Sequence, residues 1–367
     1  MTGSAKRSGP LAGVRVLHLA SLGPGPYAAM LLADLGGDVM IIDRPMPLAS
    51  SMPPEMDPRR RGQRSIVLNL KKDAELSAFL CLADDADVLI EGMRPGTAER
   101  MGVGPDTCLR RNPRLVYARM TGWGQVGPLA QAAGHDINYV ALTGALHAMG
   151  DADRPPAVPL NLLGDYAGGG MYLALGVLAA LFERAESGRG QVVDGAIVDG
   201  VASLTTATLG MIAAGRWGPR GASPFDGSMP WYRTYRTRDD KFVAVGAIED
   251  RFFAALLEGV GLDPRRWPRN TQADRDALTA ELARIFATRD RAFWQERFEG
   301  TDACVTPVLT FSEAAQHPHH TARQTYQIIA EVTQPSPGPR FSRTVLSSPA
   351  NPAAPGQHDD QFPGWRA

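Results

Sequence analysis

The first 130 residues alternate between short apolar segments and amphipathic segments, and this alternation limits the possible folds more than any other feature of the chain. Residues 13–20 predict a strand, residues 21–37 a Gly-Pro loop and a helix that ends at Gly36-Gly37, and residues 38–43 a second strand. Strands that alternate with helices pair in parallel through right-handed crossovers, so the sequence predicts an open α/β sheet. Ligands of such sheets bind beyond the carboxyl ends of the strands.

The loop after the first predicted strand resembles a dinucleotide-binding fingerprint. The small residues of the loop and the acidic residue after the second strand have the required order: Gly23, Gly25, Ala28 and Asp43. However, Pro24 and Pro26 have no backbone N–H groups, which are the donors that hold a pyrophosphate in such a loop. We therefore do not expect a nicotinamide or flavin cofactor.

A second region follows the large α/β domain, which spans residues 1–214. Residues 215–230 are rich in Gly and Pro and predict a linker. Residues 231–316 predict a smaller α+β domain that begins with a hairpin around Asp239-Asp240. Residues 317–367 include a Pro- and Ser-rich stretch and are expected to form a C-terminal segment that returns to the large domain.

Composition and charge exclude several classes of protein. Hydrophobic residues make up 44% of the 367 residues, so the chain can bury a core. With a net charge of -1, neither nucleic acid nor a membrane is expected as a partner, and no apolar run of membrane-spanning length is expected. The first ten residues do not resemble a signal peptide, and the last six do not resemble a peroxisomal address.

The sequence contains neither a CxxC nor an HExxH pattern, so no metal is expected. The three cysteines, Cys81, Cys108 and Cys304, are far apart along the chain. They are expected to be reduced thiols, which indicates a cytoplasmic location.

Residues 134–170 contain the side chains best suited to acid–base chemistry. His135 is followed by Asp136, and Asp165 lies thirty residues later near a glycine-rich helix start. Two titratable groups on different segments can face each other across a pocket, where their surroundings move their pKa values apart. Gly168–Gly170 would permit the close approach of a ligand. The alternatives are structural: a helix cap for Asp165 and a surface role for the His135-Asp136 pair.

Basic residues follow several predicted strands. Arg44, Arg94 and the Gly122–Gly127 loop lie at strand ends, where a ligand would bind. Residues 58–72 are basic, then extended, then basic again. This segment fits either a solvated loop or a site for a phosphate or the end of a nucleotide.

Several motifs occur in one order along nearly the whole chain: GPGPYAAMLLADLGGDV, IDRP, LNLK, EGMRPG, YARMTGWGQVGP, GHDINYVALTG, GDYAGGG, GQVVDGAIVDG and VAVGAIE. In this set and order the chain resembles the family III CoA transferases, and within them the α-methylacyl-CoA racemase branch. The resemblance implies an interlocked homodimer with a Rossmann-like, CoA-binding large domain, a small domain and an active site at the subunit contact. It also implies that no cofactor is needed, since CoA is part of the acyl-CoA substrate.

The resemblance assigns roles to individual residues. His135 and Asp165 match the two racemase bases, and Glu249 matches a glutamate that orients the histidine from the small domain of the partner chain. Further residues match positions that bind the substrate or its CoA group: Arg44, Leu68, Asn69, Leu70, Lys71, Gly92, Met93, Arg94, Arg100, Gly134, Asp136, Tyr139 and Gly164. The sequence departs from the family pattern near the nucleotide at Ile41, Gln63 and Asn69.

The chemistry expected of the two bases is proton transfer at the carbon next to a thioester carbonyl. One base removes the proton, donors hold the enolate oxygen, and an acid on the opposite face returns a proton. Backbone N–H groups near Asp136 or at the start of the glycine-rich helix are the candidate donors.

Three functions remain open. The first is racemisation of 2-methylacyl-CoA thioesters in fatty acid or other lipid metabolism. The second is CoA transfer between carboxylic acids, with Asp165 as a nucleophile that forms a mixed anhydride. The third is a non-catalytic CoA-binding protein. His135 favours the first, because the transferase branch usually lacks a histidine there, and the intact candidate residues disfavour the third.

Overall fold

The structure is a computed structural model that describes residues 7–46 and 52–361. Predictions made on residues 1–6 and 362–367 lie outside the described residues. The chain forms two compact units. The first contains the described residues of Met1–Thr143, Pro159–Leu204 and His319–Ala367, and the second contains Gly144–Val158 and Thr205–Pro318. Residues 144–158 and 205–214 were predicted to lie in the large domain but belong to the second unit.

Six parallel strands form the sheet of the first unit. They are β1 Arg15–Leu19, β2 Asp38–Asp43, β3 Arg64–Val67, β4 Val88–Glu91, β5 Val116–Thr121 and β6 Val192–Ala196. Their order, β3-β2-β1-β4-β5-β6, is that of a Rossmann fold, and it reverses between β1 and β4. The predicted open α/β sheet is therefore confirmed.

The central strands are buried on both faces, as parallel strands covered by helices are. Val16, Leu17, Leu89 and Ile90 of β1 and β4 have no exposed surface. The helices of the first unit are α1 Pro24–Asp34, α2 Asp73–Asp85, α3 Thr97–Arg100, α4 Pro105–Arg111, α5 Asp136–Leu142, α6 Tyr172–Ser187 and α7 Ile197–Leu204. A π-helical segment, Leu162–Met171, precedes α6, and a hairpin of β10 Tyr326–Ile329 and β11 Val332–Pro335 lies near the end of the chain.

Helix α1 begins and ends at residues that suit those positions. Pro24 is its first residue, where the missing N–H group would have had no partner in the helix. After its last turn, the N–H groups of Gly36 and Gly37 donate to the carbonyls of Ala33 and Leu32, both at 2.9 Å. Gly36 has a φ of 96°, which glycine adopts without strain, and the chain then turns directly into β2.

Glycines allow the π-helical segment to pack directly on its neighbours. A Cβ atom added at Gly200 of α7 would lie 1.8 Å from the Gly168 carbonyl oxygen, and one added at Gly168 would lie 2.8 Å from the Val201 nitrogen. Gly170 makes a similar approach to α1. The expectation that Gly168–Gly170 admit a ligand is therefore wrong, since these glycines admit the backbones of two helices.

The helical stretch Leu162–Ser187 is long and apolar enough to cross a membrane by length and composition. The expectation that no apolar run reaches this length is therefore wrong. Within the first unit the stretch packs against α1, α7, β5 and β6. A core helix has the same length and composition, so the stretch is weak evidence for a membrane span.

The C-terminal segment runs beside β3, the last strand at one side of the sheet. The N–H group of Ser65 donates to His358 Nδ1 at 3.1 Å, and the Ser65 carbonyl accepts from the His358 N–H group at 2.9 Å. Asp359 accepts from the N–H group of Val67 at 2.8 Å. These residues therefore fill hydrogen-bonding positions on the outer side of β3.

The second unit has a three-stranded antiparallel sheet, and its first two strands form the predicted hairpin. Its strands pair in the order β7 Tyr232–Arg236, β8 Phe242–Gly246 and β9 Val305–Pro307. Its helices are α8 Thr206–Ala213, α9 Asp250–Gly259, α10 Gln272–Phe286, α11 Arg291–Phe298 and α12 Phe311–Gln316, and α13 Pro318–Ala322 begins at its end. The hairpin turns at Asp240, which has a φ of 55°. Tyr235, Phe286 and Trp294 pack together in the core.

Candidate active site

Two cavities open at the carboxyl ends of the parallel strands in the first unit. The His135 cavity, of about 550 Å³, is lined by the loops after β1, β4 and β5, by the start of α5 and by the segment that carries Asp165. The Lys71 cavity, of about 900 Å³, is lined by residues at the ends of β1, β2, β3 and β4. Both lie beside the point where the strand order reverses, which is the expected ligand position in such a sheet.

His135 lies directly before α5. Its N–H group donates to Asn138 Oδ1 at 3.0 Å, and its carbonyl accepts from the Asn138 N–H group at 2.8 Å. These reciprocal contacts fix the His135 backbone at the start of the helix, while the side chain is exposed and lines the cavity. The imidazole therefore extends from a fixed backbone position.

Asp165 reaches the same cavity from the π-helical segment. Its N–H group donates to Asp136 Oδ2 at 2.6 Å, and the Gly164 N–H group donates to the same carboxylate. A Cβ atom added at Gly164 would lie 2.3 Å from Asp136 Oδ2, so this approach requires glycine. The two predicted bases, His135 and Asp165, thus line one cavity, while Asp136 and Gly164 lie behind Asp165.

The surroundings of Asp165 raise the pKa of its carboxyl. Burial is the largest cause, and the negative charge of Asp136 adds to the rise. The Asn161 side chain, 3.5 Å from Asp165 Oδ2, and the charges of His135 and Arg59 oppose it. A carboxyl with a raised pKa exchanges a proton closer to neutral pH than an exposed carboxyl does.

Tyr139 holds the wall of the His135 cavity together. Its hydroxyl donates to the Gly134 carbonyl at 2.5 Å, and its ring packs edge-to-face on Trp123 with the centroids 4.7 Å apart. A Cβ atom added at Gly122 would lie 2.0 Å from the Tyr139 ring, so the loop after β5 needs glycine here. The predicted residues Gly134 and Tyr139 therefore join this loop to α5.

The Lys71 cavity combines apolar side chains with cations. Leu68 and Leu70, from the segment after β3, line it together with the exposed side chains of Arg44, Lys71 and Arg94. None of these three cations lies within 4 Å of a carboxylate in the described part of the chain. Asn69 also lines the cavity. Unpaired cations beside apolar surface suit an anionic ligand such as a phosphate ester.

Asp43, the acidic residue of the apparent dinucleotide fingerprint, makes internal contacts instead. Its buried carboxylate accepts from the Arg60 guanidinium at 2.6 Å and from the Ser65 hydroxyl at 2.6 Å. These bonds tie β2 to β3 and to the segment before it. Asp43 is therefore not available as a ribose ligand, which agrees with the argument from Pro24 and Pro26.

The two cavities are continuous. Leu22, Gly92, Met93 and Arg94 line both of them. Glu91, fully buried at the end of β4, accepts from the Met93 N–H group at 2.6 Å and so fixes this loop. A long ligand can therefore extend from one cavity into the other past Arg94.

Four predicted site residues line neither cavity: Asp136 and Gly164, predicted to bind the substrate or CoA, lie behind Asp165 instead, and Arg100 and Glu249 lie elsewhere. Arg100, on α3, donates to Thr97 Oγ1 at 2.9 Å and lines neither cavity as described. Glu249 belongs to the second unit, where it is exposed directly before α9. Its role toward His135 of a partner chain stays a prediction.

Four lining residues were not named individually as site residues: Ser21, Arg59, Trp123 and Asn161. Trp123 belongs to the Gly122–Gly127 loop, which was predicted to lie where a ligand binds. Arg59 lies within the basic segment 58–72, for which an anion site was one interpretation. Asn161 precedes Asp165 by four residues, about one helical turn, so its spacing was a usable signal. Ser21 and Trp123 follow β1 and β5, and only the rule for strand ends indicates them.

Comparison with known proteins identifies the family. Residues 11–359, nearly the whole chain, match the family model for CoA-transferase family III. This chain belongs to CoA-transferase family III. The resemblance inferred from the ordered motifs is therefore confirmed.

Two similar relatives are mammalian. The chain is 44% identical over 347 residues to the alpha-methylacyl-CoA racemase of Mus musculus, which covers 94% of this chain and 88% of that protein. It is 42% identical over 345 residues to the Homo sapiens protein of the same name, with the same coverage. The crystal structure of a CAIB/BAIF family protein from Brucella suis has the same fold, with a TM-score of 0.83, 24% identity, and coverage of 97% of this chain and 99% of that one.

Proposed function

We propose that this family III protein is a racemase that interconverts (R)- and (S)-2-methylacyl-CoA thioesters. The observation that carries the proposal is that His135 and Asp165 line one cavity. That cavity continues into a second one with unpaired cations. The mammalian relatives named alpha-methylacyl-CoA racemase support the same function.

The proposed reaction is a two-base proton transfer. The proton next to a thioester carbonyl is weakly acidic, so its removal needs a positioned base and stabilisation of the enolate. Either His135 or Asp165 removes the proton from one face, and the other returns a proton to the opposite face. The raised pKa of Asp165 suits this role, because its carboxyl must both accept and donate a proton.

The enolate oxygen needs hydrogen-bond donors. The N–H groups of Gly164 and Asp165 already donate to Asp136, which makes the start of the glycine-rich segment a poor source. We therefore favour the backbone N–H group of Asp136, in the first turn of α5, as the donor to the enolate.

The CoA group would occupy the Lys71 cavity. Arg44, Lys71 and Arg94 supply positive charge for its phosphates, and the apolar lining suits its remaining parts. Arg94 lies at the junction of the cavities, so the thioester can reach His135 while the nucleotide stays with Lys71. The CoA thioester is the substrate, and the proposed chemistry needs no further cofactor.

We also propose a cytoplasmic homodimer that acts in lipid metabolism, in which the partner's Glu249 orients His135. The helical stretch Leu162–Ser187 supports the dimer, because Met171, Leu175 and Phe182 are 53%, 61% and 84% exposed. An exposed apolar row of this kind is typical of a subunit contact. The native mass at nanomolar concentration tests the assembly, and a folded monomer would contradict it.

CoA transfer between carboxylic acids is the second candidate function, and family membership alone is consistent with it. In that reaction the Asp165 carboxylate attacks the thioester carbonyl, CoA leaves as a thiolate, and a mixed anhydride remains. His135 in the same cavity favours racemisation, because a transferase needs only the nucleophilic carboxylate at this place.

One enantiomer of a 2-methylacyl-CoA in deuterated buffer, without an acceptor acid, separates the two functions. The racemase is expected to incorporate deuterium at the α-carbon as the centre loses its configuration. A transferase is expected to stop at the anhydride, which hydroxylamine traps with loss of activity. Inactivation by hydroxylamine without α-deuterium would falsify the racemase proposal and favour CoA transfer.

A further inference from the structure

We propose that Asp136 is a positioning residue that holds Asp165 for its half of the proton transfer, while His135 is held independently. The inference rests on the proposed function, in which Asp165 and His135 act on opposite faces of the substrate. The Asp136 carboxylate faces the backbone of the segment that carries Asp165 and not the His135 cavity, so this side chain acts through Asp165.

The contact joins two segments that are 29 residues apart. Asp136 is the first residue of α5 and is 8% exposed. Its Oδ2 accepts from the Asp165 N–H group at 2.6 Å, and its carboxylate also accepts from Gly164. Because these bonds are made to the backbone N–H groups of Gly164 and Asp165, they fix the point from which the Asp165 side chain extends into the cavity.

Gly164 shows how closely the two segments approach. A Cβ atom added there would lie 2.3 Å from Asp136 Oδ2 and 2.6 Å from its Cγ. The carboxylate thus lies against bare backbone, where two N–H groups point at it. The contact depends on an acceptor at 136 and on glycine at 164, so it can be broken from either side.

The other oxygen of Asp136, Oδ1, is buried and has no hydrogen-bond partner among the described residues. Burial raises the pKa of the Asp136 carboxyl, and the N–H groups of Asp165 and Gly164 oppose the rise. A buried carboxylate with an unsatisfied oxygen is costly, and a neutral amide could accept from the same N–H groups. The hydrogen bonds alone thus do not require a negative charge at residue 136. The charge of Asp136 has a separate effect, because it adds to the rise in the pKa of Asp165.

His135 does not depend on this contact, although it is the neighbour of Asp136 in sequence. Its backbone is held by the side chain and the N–H group of Asn138. Removal of the Asp136 side chain leaves both of these bonds in place. Loss of Asp136 is therefore expected to disturb Asp165 more than His135.

Racemisation rates cannot show that Asp165 is affected more than His135. The equilibrium constant fixes the ratio of the kcat/KM values of the two directions, so a variant changes both values by the same factor. The test therefore uses two single-base backgrounds. In His135→Ala only Asp165 remains to exchange the α-proton, and in Asp165→Ala only His135 remains. Deuterium uptake into the enantiomer that each base serves measures the two bases separately.

Asp136→Ala and Gly164→Ala are added to each background. Each is expected to slow exchange about tenfold more in the His135→Ala background, which keeps Asp165, than in the Asp165→Ala background, which keeps His135. The reason is that Asp165 loses its position, and a displacement near 1 Å can cost ~10²-fold in rate. Asp136→Asn keeps an acceptor for the two N–H groups and is expected to restore most of the exchange. A merely structural role would lower both backgrounds alike.

Asp136→Asn also gives a pH readout in the His135→Ala background. The groups around Asp165 are then Asp136, Asn161, Arg59 and Tyr139. Removal of the Asp136 charge lowers the pKa of Asp165, so exchange by Asp165 should persist to lower pH than with Asp136 present. A pH profile that does not move would overturn the electrostatic part of the proposal.

Asp194→Asn is the matched control, because Asp194 also accepts a backbone N–H group, from Gln125 at 3.2 Å, but lines neither cavity as described. It is expected to leave the ratio of the two exchange rates unchanged. Equal losses in both backgrounds from Gly164→Ala and Asp136→Ala, or no loss in either, would overturn the proposal. If Asp136→Ala does not fold, Gly164→Ala and Asp136→Asn still decide it. Absence of exchange in the wild-type protein would instead refute the proposed function.

Discussion

The His135 cavity and the Lys71 cavity are neighbours at one edge of the same sheet, yet they hold their functional side chains in different ways. In the first, His135 and Asp165 are fixed by hydrogen bonds to their own backbones. In the second, Arg44 and Lys71 are exposed side chains with no carboxylate within 4 Å in the described ranges. Proton transfer needs fixed distances, whereas attraction between a cation and a phosphate tolerates movement of the side chain.

This difference predicts which kinetic constant each cavity controls. A change in the His135 cavity should lower kcat, because it disturbs groups that act only during proton transfer. A change in the Lys71 cavity should raise KM, because it removes attraction that the bound substrate and the transition state share. A variant of the His135 cavity that mainly raises KM, or a variant of the Lys71 cavity that mainly lowers kcat, would show that the two cavities do not act separately.

The largest effect is expected from loss of either base. His135→Ala and Asp165→Ala should each slow racemisation on the order of 10³-fold, since one face of the substrate loses its proton donor and acceptor. Chiral analysis of the acyl-CoA product measures this rate, and KM should change little. His147→Ala is the control, because His147 lines neither cavity as described. Near wild-type racemisation in either variant would remove that residue from the mechanism.

The next effect is expected from the packing behind Asp165. Gly200→Ala would place a Cβ atom 1.8 Å from the Gly168 carbonyl, so the π-helical segment must shift. We expect a loss of about 1–3 kcal/mol in the free energy of unfolding and a lower kcat, with KM little changed. Gly210→Ala, where the added atom meets nothing within 4 Å, is the control. Denaturant unfolding measures the free energy of unfolding, and steady-state kinetics measure kcat and KM. A raised KM with normal kcat in Gly200→Ala would contradict the assignment of kcat effects to the His135 cavity.

A smaller effect is expected in the Lys71 cavity. Lys71→Gln should raise KM about tenfold and leave kcat nearly unchanged, since one charge-assisted contact to the CoA group is lost. The KM of the wild type should also rise more steeply with salt than that of the variant. Lys72→Gln is the matched control, because Lys72 pairs with Glu75 and does not line the cavity. Equal KM values for the two variants would show that CoA does not bind here.

The smallest effect is expected in the pH dependence of kcat/KM. Its acid limb is expected to report deprotonation of Asp165, and the raised pKa of this carboxyl places the limb above the range of an exposed carboxyl. Activity is present above this pKa and is lost as the pH falls through it. The charge of Arg59 opposes the rise, so Arg59→Gln should move the limb to higher pH.

Arg111→Gln is the control for this shift. Arg111 binds Asp84 through two nitrogens, as Arg59 binds Asp57, but it lines neither cavity as described. A limb that moves to lower pH in Arg59→Gln, or that moves equally in both variants, would contradict the assignment of Asp165 as the group that titrates.

The parts of the fold that depend on local pattern were predictable from the sequence. The apolar runs around β1 and β2 and the glycines after α1 mark these elements to within a few residues. The expectation for Gly168–Gly170 failed because it depended on a partner, Gly200 on another helix, that no local pattern reveals.

In the candidate site, too, features within one segment were predictable, whereas contacts between distant segments were not. The pattern of residues 134–170 predicted that His135 and Asp165 face each other across a pocket, and both line one cavity. Their roles as the two bases stay a prediction. The contact on which the proposed role of Asp136 rests was not predictable, because it joins Asp136 to a backbone N–H group 29 residues away. Arg59 and Trp123 line the cavity from two segments that the sequence indicated, residues 58–72 and the Gly122–Gly127 loop, but the sequence did not single out these two side chains.

The return of the chain to β3 has a consequence for solubility. β3 ends the sheet on one side, and an open edge strand offers its N–H and carbonyl groups to a strand of another molecule. His358 and Asp359 occupy those groups at Ser65 and Val67. These groups of Ser65 and Val67 are therefore not open to a strand of another molecule, which removes part of an edge at which parallel sheets can join and polymerise.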